Sequence, residues 1–323
     1  MYLPTTYDGT PHAFTSRRSC NPLTQPTGPI RIAVIGGTGI YSLEDSGFTP
    51  VARLSITTPW GAPSSPITIV TTPNTSAPIA FLSRHGTHHE ITPTLVPNLA
   101  NIAALRSIGV RTILAFSAVG SLQEHISLRD FVVPDQVIDR TKGVRPCTYF
   151  TNGVVGHVAF ADPFSAGLRN AVIEVAKNIP EVKMHAKGTV IGMEGPQFST
   201  RAESKMYRAW GGDVINMTVL PEAKLAREAE LSYALVCMCT DCDCWKDGEA
   251  VVDLPAVIAN MKANAENAKK LVAKVLERLA GEEFRVLVET ELEGGSKWAV
   301  CTKMEAISED AREKLMWLGI GGF

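Results

Sequence analysis

The chain of 323 residues has no apolar run as long as the ~18 to 20 residues a helix needs to cross a bilayer, and its first residues hold no signal-peptide apolar core. A cytoplasmic protein is the expectation, with the nucleus as an additional compartment. Nor is there an excess of charge: 31 Lys+Arg stand against 33 Asp+Glu, a net charge of −2. That balance gives no electrostatic reason to expect nucleic acid or an anionic membrane as partner. Charged residues make up 20% of the chain and apolar ones 45%. The composition is therefore globular, and a chain of this length buries a substantial core. Three common signatures are also missing. The glycine-rich turn Gly36–Gly39 has Ser42 where the dinucleotide fingerprint needs its last glycine, and neither G-x-x-x-x-G-K-[ST] nor G-x-S-x-G occurs. Dinucleotide binding, P-loop nucleotide hydrolysis and α/β-hydrolase chemistry are disfavoured accordingly. No repeat at solenoid or propeller periods is present.

Seven cysteines, an odd count, argue against a disulfide framework in a chain of this kind. Four of them, Cys237, Cys239, Cys242 and Cys244, crowd one segment. Their C-x-C-x2-C-x-C spacing lacks the two separated knuckles of a structural zinc site, and alternate residues on a strand share a face. Buried thiols acting as small hydrophobes are the expectation, with no metal; a zinc-stabilised module is the competing reading.

What is present is an alternation of strands and helices. Residues 1–29, rich in Thr, Pro, Ser and Gly, read as a disordered tail. From Ile32 the pattern changes to a buried strand running into Gly36–Gly39. Strand-like runs follow at 66–71, 78–83, 111–118, 131–138, 187–192, 213–217 and 232–239. Helical spacing occupies 96–107, 165–177, 200–210, 221–230 and 253–279, with a Thr200/Glu203 capping box and Asp253 as a helix cap. The order implies an α/β sheet covered by helices on both faces, one domain over 30–281. Residues 282–323 read as an extension without an assigned task, with VLVET (286–290) as an edge strand and 307–318 as a terminal helix.

Chemistry gathers at strand ends. In open α/β sheets ligands bind just beyond the carboxyl ends of the strands. Four runs end in hydroxyls, glycines or cations: Gly36–Gly39 with Thr38, then Ser83-Arg84-His85-Gly86, then Ser117–Ser121, then Asn216-Met217-Thr218. Such ends suit a tetrahedral oxyanion, and a planar guanidinium such as Arg84 can hold phosphate bidentately. An ordinary turn threonine and a salt-bridged surface arginine are the plain alternatives for Thr38 and Arg84. His85, His88 and His89 sit in a Gly/Thr-rich loop that suits ligand contact or structural hydrogen bonding better than a metal. The run at 232–239 stops on Thr240 and the acids Asp241 and Asp243, which either hold a substrate or cap a turn. Phosphate on one side and a base gripped by carboxylates on the other suggest phosphorolysis of an N-glycosidic bond.

Eight ordered strings then carry a resemblance: IGGTGIY (35–41), TPWGAPS (58–64), SRHGTHH (83–89), SAVGSL (117–122), DFVVPDQVIDRT (130–141), EGPQFSTRAES (194–204), DVINMTVLPEA (213–223) and TDCDCW (240–245). The chain resembles the S-methyl-5′-thioadenosine phosphorylase family of the trimeric purine nucleoside phosphorylase superfamily from about Ile32 to Leu279. The resemblance implies a mixed central sheet with helices on both faces and a homotrimer. It implies a phosphate site of Thr38, Arg84, His85, Ser117, Ala118 and Thr218, with Ser117 in place of the family's usual threonine. Met217 would contact the ribose and Phe198 the base. Asp241 would grip the purine N7 and N6 edge, assisted by Asp243. Leu254 would line the methylthio pocket, and His157 would reach a neighbouring subunit's site. The partners implied are a small-molecule nucleoside and phosphate, the latter a co-substrate, with no cofactor, nucleic acid or membrane. A phosphorylase of 6-oxopurine nucleosides and a non-catalytic nucleoside-binding protein on the same fold are the competing readings.

Overall fold

The computed structural model describes residues 19–22, 29–72, 77–246, 248 and 252–320. Its strands are β1 (Ser19–Pro22), β2 (Ile32–Gly36), β3 (Thr49–Ser55), β4 (Ile67–Thr71), β5 (Pro78–Ser83), β6 (Thr112–Ser121), β7 (Phe131–Val132), β8 (Gln136–Asp139), β9 (Met184–His185), β10 (Thr189–Gly192), β11 (Val214–Asn216) and β12 (Ser232–Asp241). Its helices are α1 (Asn98–Ser107), α2 (Ala166–Ala176), α3 (Arg201–Ala209), α4 (Val219–Glu228), α5 (Leu254–Leu279), α6 (Arg285–Thr290) and α7 (Glu309–Leu318).

All the described strands belong to one mixed sheet, ordered β1-β3-β4-β5-β2-β6-β11-β10-β8, with β12 branching from β6 and carrying β7 and then β9. The central strands are apolar on both faces because both faces are covered. On β2, Ala33 and Ile35 join a core with α1, α4 and α7, while Ile32 and Val34 join another with α2 and α5. On β12 the same period of two sends Leu235, Cys237 and Cys239 to the first core and Ala234, Val236 and Met238 to the second. The fold class expected from the sequence is the one observed.

Three expectations change. The single run at 131–138 is two strands, because Pro134 cannot donate to a ladder; β7 pairs with β12 and β9, and β8 with β10. VLVET is not an edge strand but helix α6. It pairs with no strand among the described residues, and its turn is closed locally: Thr290 Oγ1 donates to the Val286 carbonyl at 2.9 Å. Leu287 packs against Gly167 of α2, where even a methyl group would come within 2.5 Å. Within the stretch read as a tail, β1 pairs antiparallel with β3; the rest of that stretch, 1–18 and 23–28, lies outside the described residues.

The segment after residue 281 packs on the same body. Helix α7 places Trp317 edge-on to Trp60, ring centres 6.2 Å apart. The Glu230 carboxylate accepts from the backbone N–H groups of Gly294 and Ser296 at 3.1 and 3.0 Å.

Candidate active site

The site begins with a gap in the sheet. Strand β12 runs parallel to β6 along one edge, from Thr112 to Gly120. On the other edge β2 pairs with Thr112–Ala115, whereas β11 pairs only with Gly120 and Ser121. Between them, on that edge alone, residues 116–119 have no strand beside them among the described residues. Carbonyls and N–H groups of alternate residues face the same edge, so Ala118 N–H looks into the gap that the Phe116 carbonyl also faces. A cavity of about 260 Å³ opens there, and Thr38, Arg84, His85, Ser117, Ala118 and Thr218 line one part of it.

Arg84 is fully buried. It donates from Nε and Nη2 to the two carboxylate oxygens of Glu222 at 2.7 and 2.8 Å, and from Nη1 to the Phe116 carbonyl at 2.9 Å. Burial opposes its charge, but the Glu222 carboxylate more than offsets that and keeps the guanidinium a cation. A guanidinium has five N–H donors, so two remain for a ligand. Tyr233 donates its hydroxyl to the same carboxylate at 2.7 Å. His85 is the opposite case: burial, then the Arg84 charge, pushes its pKa down to about 4. Its Nδ1 lies 2.8 Å from the Ile91 carbonyl, which can only accept. In the neutral ring Nδ1 therefore carries the proton and Nε2 is left as an acceptor. Asn216 Nδ2 donates to Ser117 Oγ at 3.1 Å, and that hydroxyl lies 3.4 Å from Thr218 Oγ1.

The acids lie at the end of β12. Asp241 sits opposite Gly120 after a bulge in the pairing. Its carboxylate accepts from Thr240 Oγ1 and from the Asp243 backbone N–H, each at 2.9 Å. Gly120 is required by this approach, because a Cβ there would lie 2.7 Å from Asp241 Oδ1. Asp243 takes a left-handed backbone, φ 45°, and its buried Oδ2 has no partner among the described residues. Burial raises the pKa of both carboxyls above the usual range. The Asp241 charge raises that of Asp243 further. Acids in this condition can hold a proton where an exposed aspartate would not.

Met217, Phe198 and Leu254 line the same cavity, together with Val257 one turn further along α5. Asp253 caps that helix, its Oδ1 accepting from Ala256 N at 2.8 Å, which fixes where Leu254 enters. One expected residue stands apart. His157 is exposed and does not line the cavity; its backbone N–H bonds to the Ala299 carbonyl at 2.9 Å. Of the four clustered cysteines, Cys237 and Cys239 are buried in the sheet and their thiols are pushed up by burial.

Sequence reasoning missed the groups that hold the site without lining it: Glu222 and Tyr233 behind Arg84, and Arg145 with Glu194. It also missed Asn260, whose Nδ2 donates to the Thr240 carbonyl at 2.8 Å. No local pattern marks them, since Arg84 and Glu222 stand 138 residues apart in the chain.

The sequence signature of the phosphorylase superfamily matches residues 31–277. An S-methyl-5′-thioadenosine phosphorylase of Tuber melanosporum is 60% identical over 299 residues, which is 91% of this chain and 96% of that one. Among solved structures, a methylthioadenosine phosphorylase from an Antarctic soil metagenomic library superposes with a TM-score of 0.80 at 41% identity, over 90% of this chain and 99% of that one. The methylthioadenosine phosphorylase of Schistosoma mansoni in complex with adenine gives a TM-score of 0.77 at 31% identity, over 85% and 99% of the two chains. The chain belongs to the phosphorylase superfamily and, within it, to the S-methyl-5′-thioadenosine phosphorylase family.

Proposed function

We propose that this protein uses phosphate to cleave the N-glycosidic bond of S-methyl-5′-thioadenosine, releasing adenine and 5-methylthioribose 1-phosphate. The observation that carries the reading is a single cavity with a buried cation and hydroxyls in one part and two proton-holding acids in another. As the C1′–N9 bond breaks, its electron pair moves to the purine and positive charge builds on C1′. Phosphate held by Arg84, Ser117, Thr218, Thr38 and the Ala118 N–H stabilises that charge and forms the new C1′–O bond. His85, neutral and accepting at Nε2, takes a hydrogen bond from a protonated phosphate oxygen. The Asp241–Asp243 pair protonates the departing adenine at N7, and the phosphate hydroxyl supplies the replacement proton. Phe198 packs on the base, Met217 on the ribose and Leu254 on the methylthio group.

No oxidation state changes, and Arg84, the hydroxyls and the two acids supply the charge stabilisation and the proton, so we read the reaction as needing no resident metal or organic cofactor. We read the assembly as a homotrimer. The position of His157 supports it, since an exposed residue away from its own cavity can serve a site only from another copy. We place the protein in the cytoplasm, and in the nucleus in addition; the free thiols Cys237 and Cys239 fit a reducing compartment. No described helix is long and apolar enough to cross a membrane.

The test is a comparison of methylthioadenosine, adenosine and inosine, each with and without phosphate. Phosphate-dependent release of adenine from methylthioadenosine, far above release of hypoxanthine from inosine, is the expected result. Preferred cleavage of inosine would move the protein to the 6-oxopurine branch, and adenine binding without cleavage would make it a binding protein.

A further inference from the structure

We propose that Arg145, which does not line the cavity, is the positioning residue that holds the nucleoside side of the site. The proposal rests on the reading of Met217, Phe198 and their neighbours as that side. Arg145 follows β8, and its side chain is almost wholly buried, 2% exposed. Every nitrogen of its guanidinium is engaged. Nε donates to both Glu194 carboxylate oxygens at 3.1 and 2.9 Å, and Nη2 donates to the Glu194 carbonyl at 2.9 Å. Nη1 donates to the carbonyls of Met217 and Leu220, each at 2.8 Å. Glu194 Oε1 also accepts from Thr94 Oγ1 at 2.5 Å.

One ion pair thus ties four strand-exit loops. The loop after β5 brings Thr94 beside the cavity-lining Pro93. The loop after β8 brings Arg145. The loop after β10 brings Glu194, with the lining residues Pro196 and Phe198 just beyond, and the turn after β11 brings Met217. The last two also touch directly. A Cβ on Gly195, which has φ +70°, would lie 2.4 Å from Met217 Sδ. Loops fixed only by their own backbone would leave the Phe198 and Met217 walls free to shift, and displacements of an ångström are costly in a preorganised site. A planar guanidinium can reach a carboxylate on one side and two carbonyls on another, and an ammonium cannot. Arg84, His85 and Ser117 make no hydrogen bond with Arg145 among the described residues, and Arg145 acts on His85 only as a through-space charge, which Lys would keep. Thr218 follows Met217, but its hydroxyl lies against Ser117 Oγ at 3.4 Å.

Substitution Arg145→Lys keeps the charge facing Glu194 and gives up the carbonyl bonds. The expected result is a folded enzyme whose KM and calorimetric Kd for methylthioadenosine rise about tenfold, the scale of one or two lost charge-assisted bonds. The KM for phosphate should stay within about twofold of wild type, a split that general destabilisation would not produce. Thr94→Val, which removes only the hydroxyl bond to Glu194, should shift the nucleoside KM in the same direction by about twofold or threefold. Equal changes for both substrates, or an unchanged nucleoside KM in folded Arg145→Lys, would overturn the proposal. Should that variant fail to fold, an unchanged nucleoside KM in Thr94→Val does so. A wild-type protein that binds methylthioadenosine without cleaving it would refute the functional reading instead, and the calorimetric Kd values would still decide the role of Arg145.

Discussion

Asp241 and Asp243 stand two residues apart in the chain, yet their surroundings differ. Both oxygens of Asp241 already accept a bond within the protein, whereas Asp243 keeps a buried oxygen without a partner among the described residues. Substitution Asp241→Asn is structurally mild. The amide oxygen can keep the Asp243 N–H, and the amide N–H can turn to the Thr240 hydroxyl, which itself points to the Val119 carbonyl at 3.3 Å. The chemistry is what changes. A carboxylate accepts from the N6 amino group of adenine, while an amide can donate to a 6-oxo group. The expected loss in kcat/KM for methylthioadenosine is about a hundredfold or more, the scale of a lost acid. The loss should be much smaller for 5′-methylthioinosine, and equal losses would remove Asp241 from reading the 6-position. Asp243→Asn tests stability as well. Burial raises the folded-state pKa of Asp243 above its unfolded value, so the folded protein holds a proton that the unfolded chain has lost over that window. Stability therefore falls as pH rises through the window, and the penalty grows as more of the buried carboxyl ionises. The variant should melt roughly 2 °C or more above wild type at pH 7, the shift that about 1 kcal/mol makes in a chain of this size. That advantage should vanish toward pH 3, where both states of the wild-type carboxyl are protonated; a difference independent of pH would contradict the burial argument.

Helix α3 shows how an element places site residues it does not contain. Thr200 Oγ1 accepts from Glu203 N at 3.2 Å, and Glu203 Oε2 accepts from Thr200 N at 2.8 Å, the reciprocal box the sequence announces. The box fixes where the chain turns after Phe198 and Ser199. From the first turn Arg201 donates to the carbonyls of Cys244 and Lys246 at 3.1 and 2.9 Å, which joins α3 to the loop of acids. Thr200→Ala should lower unfolding free energy by about 1 kcal/mol, measured by denaturant titration; a loss under about 0.3 kcal/mol would mean that tertiary contacts alone hold the helix start. Elements of this kind were legible because their signals are local: a capping box, a run of β-branched residues, a glycine after a helix. Strand β3 was not, since its exposed and half-buried positions and Pro50 break the apolar pattern. VLVET misled for the same reason in reverse, because three apolar residues suit a strand or a helix and only the neighbouring α2 decides. The strand ends that converge on the cavity were readable from their small polar residues. The Arg145–Glu194 tie was not, since nothing near residue 145 announces a partner 49 residues away.

At the scale of the whole molecule, the His157 region leaves large apolar groups uncovered. His157 is exposed, and the bridge between Gly156 and Val300 next to it is flanked by Trp298 at 86% exposure and Val155 at 51%. Large apolar groups left in water at such a place fit burial against a second copy. A closed trimer would repeat one heterologous contact around its axis, each copy lending His157 to the next. Two inactive chains should then repair one another. His157→Ala retains its own acids and lacks only the histidine it lends, while Asp241→Asn lacks an acid and still lends His157. In a co-refolded equal mixture, a site is whole when its own chain is His157→Ala and its lending neighbour is Asp241→Asn. With random assembly each condition holds half the time, so about a quarter of the sites, and about a quarter of wild-type activity, should return. The mass by light scattering should be three times that of one chain, and activity per chain should fall on dilution below the dissociation constant. A mixture no more active than the mean of its parents would show that His157 serves no neighbouring site.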